Sequence, residues 1–339
     1  MIIKKNLGYL TLIFFFIGCK TTNVEVIKDY HDSKYDSEFP NISLSKELKQ
    51  ISKTVKKLDI IAFYATYYLP ENEALSKADI NDSVLDKYSR TKTISHESVS
   101  GTASIIYNRN RMVGLLTCSH VIDFSDTVYS YFDKDQNSLR AVSVKIKQQN
   151  HISGIPSGEP LEVVAQDKQK DIALLLKKTD IDDITLKVLN IPIGKTKDLQ
   201  WGSVVYIMGY PLGNLMVTRA IASLSDKMKS GIFATDALYN HGISGSPVFA
   251  IRDGVPNIEL IGMASSAAAQ TINVLEPDED VIVSNNFRTI YKGELFVDKS
   301  KLINYGVTYS VTIDEIITFI HSNEKALTEK GFTISDFFL

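Results

Sequence analysis

One short stretch of this chain, Gly242-Ile243-Ser244-Gly245-Ser246-Pro247, combines two glycines, a proline and a serine. Glycine lets a backbone turn where a side chain would block it, and proline fixes the exit from the turn. Such a turn can aim a serine hydroxyl and several free backbone N–H groups at one point, which acyl transfer requires. Taken alone, the stretch also reads as a Gly/Ser surface turn between strands. Acyl transfer needs a base for Ser244 and a carboxylate to orient that base, so the histidines and aspartates decide between the two readings.

Of the six histidines, His31 lies in a polar N-terminal stretch and His321 on a helical pattern near the C-terminus. His96 and His151 sit in polar, turn-like surroundings. His241 is too close to Ser244 in sequence to approach its hydroxyl from the required side, and reads as a cleft-lining or solvated residue. His120 is different, because it ends the apolar run Val113-Gly114-Leu115-Leu116-Thr117-Cys118-Ser119 and precedes Val121-Ile122. A histidine at the end of a buried strand is held rigidly with its ring free to face a cleft, although a hydrogen-bonded structural histidine fits the same pattern. Asp171 opens Ile172-Ala173-Leu174-Leu175-Leu176. A carboxylate at the mouth of an apolar strand is partly buried and needs a compensating partner, which a histidine ring N–H can supply. A strand-end turn is the rival explanation. The chain order His120, Asp171, Ser244 is that of the chymotrypsin-type triad, a known template and not a result of this sequence.

These residues need elements to position them. Short β-branched and aromatic runs, bounded by turn signals, predict strands over 103–107, 112–117, 141–148, 161–165, 172–177, 204–208, 247–251 and 258–264. The 141–148 run alternates, with Val142, Val144 and Ile146 on one face and Ser143, Lys145 and Lys147 on the other. Many short strands of this kind imply an all-β sandwich or barrel and not a parallel α/β sheet. Leu44, Leu48, Ile51, Val55 and Leu58 recur at helical spacing, so a helix precedes a strand over 59–68. Residues 69–98 are polar and predict a long surface loop. At the other end, Thr312 and Glu315 fit a capping box before the apolar stripe Ile313, Ile316, Ile317 and Ile320.

The 339 residues suffice for one large domain or two modest ones, and a net charge of -3 without a basic run argues against nucleic-acid binding. Two cysteines, Cys19 and Cys118, exclude a disulfide framework, and Cys118 reads as a small buried hydrophobe. Lys4 and Lys5 precede a nearly apolar 7–18 stretch that is too short to span a membrane and ends at Cys19. That anatomy resembles a bacterial lipoprotein signal, which implies removal of residues 1–18, lipidation of Cys19 and a location on the cell envelope. Lys20 after the cysteine favours the outer membrane. An uncleaved anchor with an incidental cysteine is the plainer reading. Residues 19–42 are polar and aperiodic, a tether with a reach on the order of 25–30 Å.

The chain as a whole resembles trypsin-like serine proteases, and within them the bacterial HtrA/Deg type. That branch carries Thr-Asp-Ala-x-x-Asn-x-Gly-x-Ser-Gly-Gly-Pro, which residues 235–247 follow with one change, Ser246 for the second glycine. Its Thr-x-x-His-Val is echoed by Thr117-Cys118-Ser119-His120-Val121, led by Ser100-Gly101-Thr102-Ala103. Its Val-x-x-Asp-x-x-x-Asp-Ile-Ala-Leu-Leu is matched by Val164 to Leu175. Lesser echoes are Met208-Gly209-Tyr210-Pro211-Leu212-Gly213 and Tyr305-Gly306-Val307-Thr308-Tyr309-Ser310, so the likeness covers roughly residues 58–323.

The resemblance implies two antiparallel six-stranded β-barrels with an N-terminal and a C-terminal helix. It places the protease domain over 43–325, with a first barrel over 58–185, a second over 190–311, a closing helix over 312–323 and a tail over 326–339. It implies a serine endopeptidase acting on envelope or extracellular proteins, with Ser244 as nucleophile, His120 as base and Asp171 orienting it. An oxyanion hole would be formed by the N–H groups of Gly242 and Ser244, with no metal or cofactor. Leu238 would lie at the bottom of the primary pocket and favour a small or aliphatic side chain before the scissile bond. Met263 and Ala264 would pair with the substrate backbone, and 275–302 would be an insertion bordering the cleft. No peptide-binding PDZ module is expected after residue 323. If position 246 needs a left-handed backbone, serine there costs ~1 kcal/mol or more. The competing expectation is a protease-shaped lipoprotein that binds peptides or proteins with weak or no turnover.

Overall fold

Alternation of buried and half-buried side chains shapes the first long strand. Leu58, Ile60, Ala62 and Tyr64 point to the core, while Asp59, Ile61 and Phe63 face outward. In a computed structural model, residues 32–40, 42–88, 90, 92–132, 135–223, 231–277 and 295–338 are described. The signal-like segment 1–18 and Cys19 lie outside the described residues. Along the chain run α1 (Ser45–Ile51), β1 (Val55–Tyr68), α2 (Asp82–Lys87), β2 (Thr93–Arg109), β3 (Met112–Thr117) and α3 (Ser119–Ile122). Next come β4 (Thr127–Tyr131), β5 (Leu139–Ile152), β6 (Glu162–Asp167), β7 (Ile172–Lys178), β8 (Val204–Gly209) and β9 (Met216–Ser223). The chain closes with β10 (Ile232–Thr235), β11 (Pro247–Ile251), β12 (Ile258–Pro277), β13 (Leu295–Thr312), α4 (Ile313–Ser322) and α5 (Glu324–Glu329).

The fold is all-β with terminal helices, in two units of antiparallel strands. The second unit is a closed barrel in the order β10-β13-β12-β11-β8-β9. The first is a seven-stranded sheet, β4-β5-β1-β2-β3-β7-β6, whose edge strands β4 and β6 do not pair. Two six-stranded barrels were expected, and the first unit corrects that. Its central strands are long, 14, 17 and 14 residues for β1, β2 and β5. Their outer ends keep pairing beyond the shared core, as far as Thr66 with Thr93 and Tyr68 with Ala141. The extra strand β4 then adds to β5 there.

A small satellite core of Leu69, Leu139 and Val142 forms at these outer ends, with Leu75, Ile80 and Leu85 packed on it. Residues 69–98 are therefore not one surface loop. They fold into short 3-10 turns, α2 capped by the Asn81 side chain at Val84 N–H, and the start of β2. Likewise the flanks of the 275–302 segment are strand. β12 and β13 pair continuously from Gly262 with Thr312 to Pro277 with Leu295, apart from local bulges.

The closing helix α4 begins as its capping pattern requires, with Thr312 Oγ1 accepting from Glu315 N–H at 3.3 Å. It buries Ile313, Ile316, Phe319 and Ile320. The 326–339 segment, expected as a tail, folds back onto the first sheet over its described residues. Leu327, Phe332, Phe337 and Phe338 are buried, and the Phe332 ring meets Tyr107 edge-on at 4.9 Å. Among the described residues no helix is long and apolar enough to cross a membrane.

Candidate functional site

The two units meet at the 242–246 turn. Thr102 on β2 donates its N–H to Ser244 O at 2.8 Å and its hydroxyl to Gly242 O at 2.7 Å, and accepts from Tyr210 N–H. From the barrel side, Ala264 on β12 accepts from Gly245 N–H and donates to Ser246 O. The turn is thus held by one strand of each unit, and its glycines are where the fold demands them. Gly242 (φ +100°) and Gly245 (φ +87°) have left-handed backbones, and a Cβ on either would meet a backbone carbonyl oxygen, Tyr210 O at 2.3 Å or Thr102 O at 2.0 Å. Ser246 is absent from the left-handed positions. The strain expected for serine there does not arise.

β3 and α3 deliver His120, and the turn between β6 and β7 delivers Asp171. The aspartate sits at φ +58°, a left-handed conformation that Asp tolerates better than most side chains. Asp171 Oδ1 accepts from His120 N–H at 2.9 Å, and the His120 Nδ1 edge lies 2.8 Å from Oδ2. On the other side of the ring, Nε2 is 2.9 Å from Ser244 Oγ. The structure therefore brings His120, Asp171 and Ser244 together from three separate stretches of the chain. The N–H groups of Gly242 and Ser244 have no hydrogen-bond partner among the described residues.

Three further side chains enter this cluster. Ser265 on β12 donates its hydroxyl to Asp171 Oδ2 at 2.5 Å. Tyr239, buried beside the turn, places its hydroxyl 2.6 Å from Ser244 Oγ and 3.4 Å from Ser265 O. Cys118, fully buried, donates its thiol to Ala264 O at 3.3 Å, and its sulfur, His120 and Asp171 offer ligand-type atoms all within 4.8 Å of one another. Tyr239 carries no sequence signal of its own. Ser265 was findable as the polar residue ending Gly262-Met263-Ala264.

Burial sets the electrostatics, and hydrogen bonds answer it. Burial alone would raise the Asp171 carboxyl, but the His120 ring and backbone and the Ser265 hydroxyl outweigh it and hold the group below the usual carboxylate range. Burial, reinforced by the Asp171 charge, pushes the Cys118 thiol far up, so it stays protonated. Burial also raises the Tyr239 phenol, against its bond to Ser244.

A lowered carboxyl stabilises the fold above its unfolded value, near pH ~4, and loses that contribution as pH falls through the lower folded value. Asp171→Asn is accordingly expected to cost about 2 kcal/mol at neutral pH, the loss of charge-assisted bonds. The deficit should shrink as the medium is acidified below pH ~4. Urea midpoints of both proteins across pH check this, and a deficit independent of pH would refute it.

Three expected substrate-binding residues are placed elsewhere. Leu238 is 60% exposed, so it does not floor a pocket, and it is the next residue, Tyr239, that turns inward. Met263 and Ala264 are buried on a central strand. Met263 pairs with Pro247 and Val311, while the Ala264 N–H and C=O are both taken by the 245–246 backbone. Neither has an edge to offer a substrate.

The serine-endopeptidase reading through a dedicated Ser-His-Asp triad is also corrected. Cys118, His120 and Asp171 form one cluster, so the His-Asp pair is shared by two candidate nucleophiles and its placement does not single out serine. Neither candidate is free. The thiol is buried and protonated, and Ser244, 3% exposed, is bonded on three sides. Cys118, His120 and Asp171 are side chains of metal-ligating type. Here, however, each is already committed to hydrogen bonds within the protein.

No curated protein matches the chain. Among solved structures, the crystal structure of the serine endoprotease from Yersinia pestis is similar at 17% identity and a TM-score of 0.42, covering 85% of this chain and 68% of that one. Residues 101–263, which contain His120, Asp171, the Ser244 turn and the strands between them, match the family model of the trypsin-like peptidase domain. Over that region, just under half of its length, the chain is similar to the trypsin-like peptidase domain.

Proposed function

We propose that this protein is a protease-shaped binding module, in which the cleft between the two units holds a peptide or protein segment and hydrolyses it weakly or not at all. The observation that carries this reading is the state of Ser244. Its single proton has two acceptors, His120 Nε2 at 2.9 Å and Ser265 O at 3.1 Å, while Tyr239 bonds the same oxygen. A serine whose hydroxyl is divided in this way and buried is a poor attacking group. The signal-like start and Cys19 support anchoring to an envelope membrane through an N-terminal lipid, with the outer membrane favoured by Lys20. Partners are then proteins or peptides of the envelope or its surroundings.

The test is a serine-directed fluorophosphonate together with a peptide-binding measurement. The wild type is expected to label slowly or not at all, and to bind members of a random peptide library as well as Ser244→Ala does. Rapid, stoichiometric labelling of the wild type that is lost in Ser244→Ala overturns the reading. So does failure of both proteins to bind any peptide.

A further inference from the structure

The groups around Ser244 assign a role to a residue that no sequence motif singled out. Tyr239 lies five positions before Ser244 in a turn pinned at both ends. Ile243 N–H bonds Asn240 O, and His241 O accepts from Leu212 N–H at 2.8 Å. With that backbone fixed, the tyrosine ring runs inward from an exposed Leu238 and ends between Ser244 Oγ, at 2.6 Å, and Ser265 O on β12, at 3.4 Å. Ser244 Oγ itself lies 3.1 Å from Ser265 O, so the phenol, the serine and the strand carbonyl form one close cluster.

We propose that Tyr239 is a positioning residue that holds Ser244 in a resting state, its hydroxyl engaging the serine oxygen. This rests on the reading of the site as one with suppressed turnover, and names what suppresses it. The phenol has one proton. Given to Ser244 Oγ, it occupies a lone pair that would otherwise attack, and leaves the serine proton to choose between His120 and Ser265 O. Without the phenol hydroxyl, the oxygen regains that lone pair. Without the ring as well, the space beside it opens.

Two variants separate these effects. Tyr239→Phe keeps the ring and its packing and removes only the hydroxyl, whereas Tyr239→Ala also removes the buried ring. Labelling by a fluorophosphonate forms the Ser244 Oγ–P bond as the P–F bond breaks, with the serine proton passing to His120 and fluoride leaving. The rate of Tyr239→Phe is expected to exceed that of the wild type about tenfold, the loss of one hydrogen bond to the reacting oxygen. Tyr239→Ala is expected to label faster still with a bulky aryl fluorophosphonate than with a small alkyl one, a size dependence absent from Tyr239→Phe. Adding His120→Ala to either variant should abolish the gain.

If the wild type labels slowly and Tyr239→Phe, with an unchanged melting temperature, labels no faster, Tyr239 holds nothing and the proposal falls while the binding-module reading stands. If the wild type already labels rapidly, the binding-module reading falls, and Tyr239→Phe still decides the other: equal rates refute the role of the hydroxyl, a faster variant supports it. Should Tyr239→Ala fail to fold, the rate of Tyr239→Phe alone decides.

Discussion

Gly209→Ala is expected to destabilise the protein by about 2–3 kcal/mol, and adding Ser246→Gly to the same chain is expected to return part of that loss, the contact with Thr102 remaining. Gly209 ends β8, and an ideal Cβ there would lie 1.7 Å from Ser246 Oγ, 2.9 Å from Ser246 Cβ and 2.7 Å from Thr102 Oγ1. None of these neighbours gives way easily. Ser246 is fully buried, and Thr102 is fixed by its bonds to Gly242 O and Tyr210 N–H. Ser246 Oγ is itself buried without a hydrogen-bond partner among the described residues, so its presence is permitted by the missing side chain at 209. Removing that oxygen leaves little unsatisfied, and Ser246→Gly alone should change stability by less than about 1 kcal/mol. Chemical denaturation of the two single variants and the double variant closes a thermodynamic cycle. A coupling near zero would show that the two positions do not share space.

That pair also shows where the sequence is legible and where it is not. The serine at 246 is visible as a departure from the family pattern, and a strained backbone is the natural fear. Yet the left-handed position is Gly245, one residue earlier, and the matching space lies on β8, far away in sequence. Local spacing reports neither. Where burial alone dictates the element, the sequence reads well: β3 and β11 have the expected ends, and β7 is the unbroken apolar run that a doubly covered strand requires. Where long-range pairing decides, it reads poorly. β9 and β13 carry exposed apolar residues such as Met216, Val217, Leu302 and Val307, which blur the period-2 signal.

The site follows the same division. His120, Asp171 and Ser244 can be picked out because each is a polar residue set against an apolar run or a glycine turn, and the fold does bring them together. Counting back from Ser244 chose Leu238 over Tyr239, since a count cannot say which of two neighbours turns inward. Met263 and Ala264 were chosen as if β12 were an edge there, but whether a strand has a free edge depends on partners at 245–248 and 310–312. Cys118 was correctly read as a buried small residue. Its nearness to Asp171, which changes the chemistry of the cluster, depends on the turn before β7 and leaves no local mark.

Tyr35→Ala is expected to cost about 3–5 kcal/mol, an effect that the polar, aperiodic character of residues 19–42 does not foreshadow. Over its described part that segment is docked on the barrel. Asp36 N–H bonds Ile251 O, Asp36 O accepts from Val204 N–H, and Tyr35 bridges to Arg252. The Tyr35 ring is 3% exposed, with the Arg252 guanidinium 4.1 Å from its centre. Its hydroxyl donates to Glu259 Oε2 at 2.6 Å and accepts from Lys195 N–H at 2.8 Å. Burial first, and then the Glu259 carboxylate, push the phenol well above its ordinary range, so it serves as a fixed donor at every accessible pH. Alanine would empty the ring's site and also leave Lys195 N–H without its acceptor. Phenylalanine would remove the hydroxyl alone, and Glu259 would keep Arg252, at 3.1 Å, so a loss of about 1–2 kcal/mol is expected. The ratio of the two losses separates burial, which carries most of the effect, from hydrogen bonding, which carries the smaller part. Urea midpoints with unchanged slopes measure both. A Tyr35→Ala variant within about 0.5 kcal/mol of the wild type would mean that the segment contributes nothing to the fold and is a tether after all.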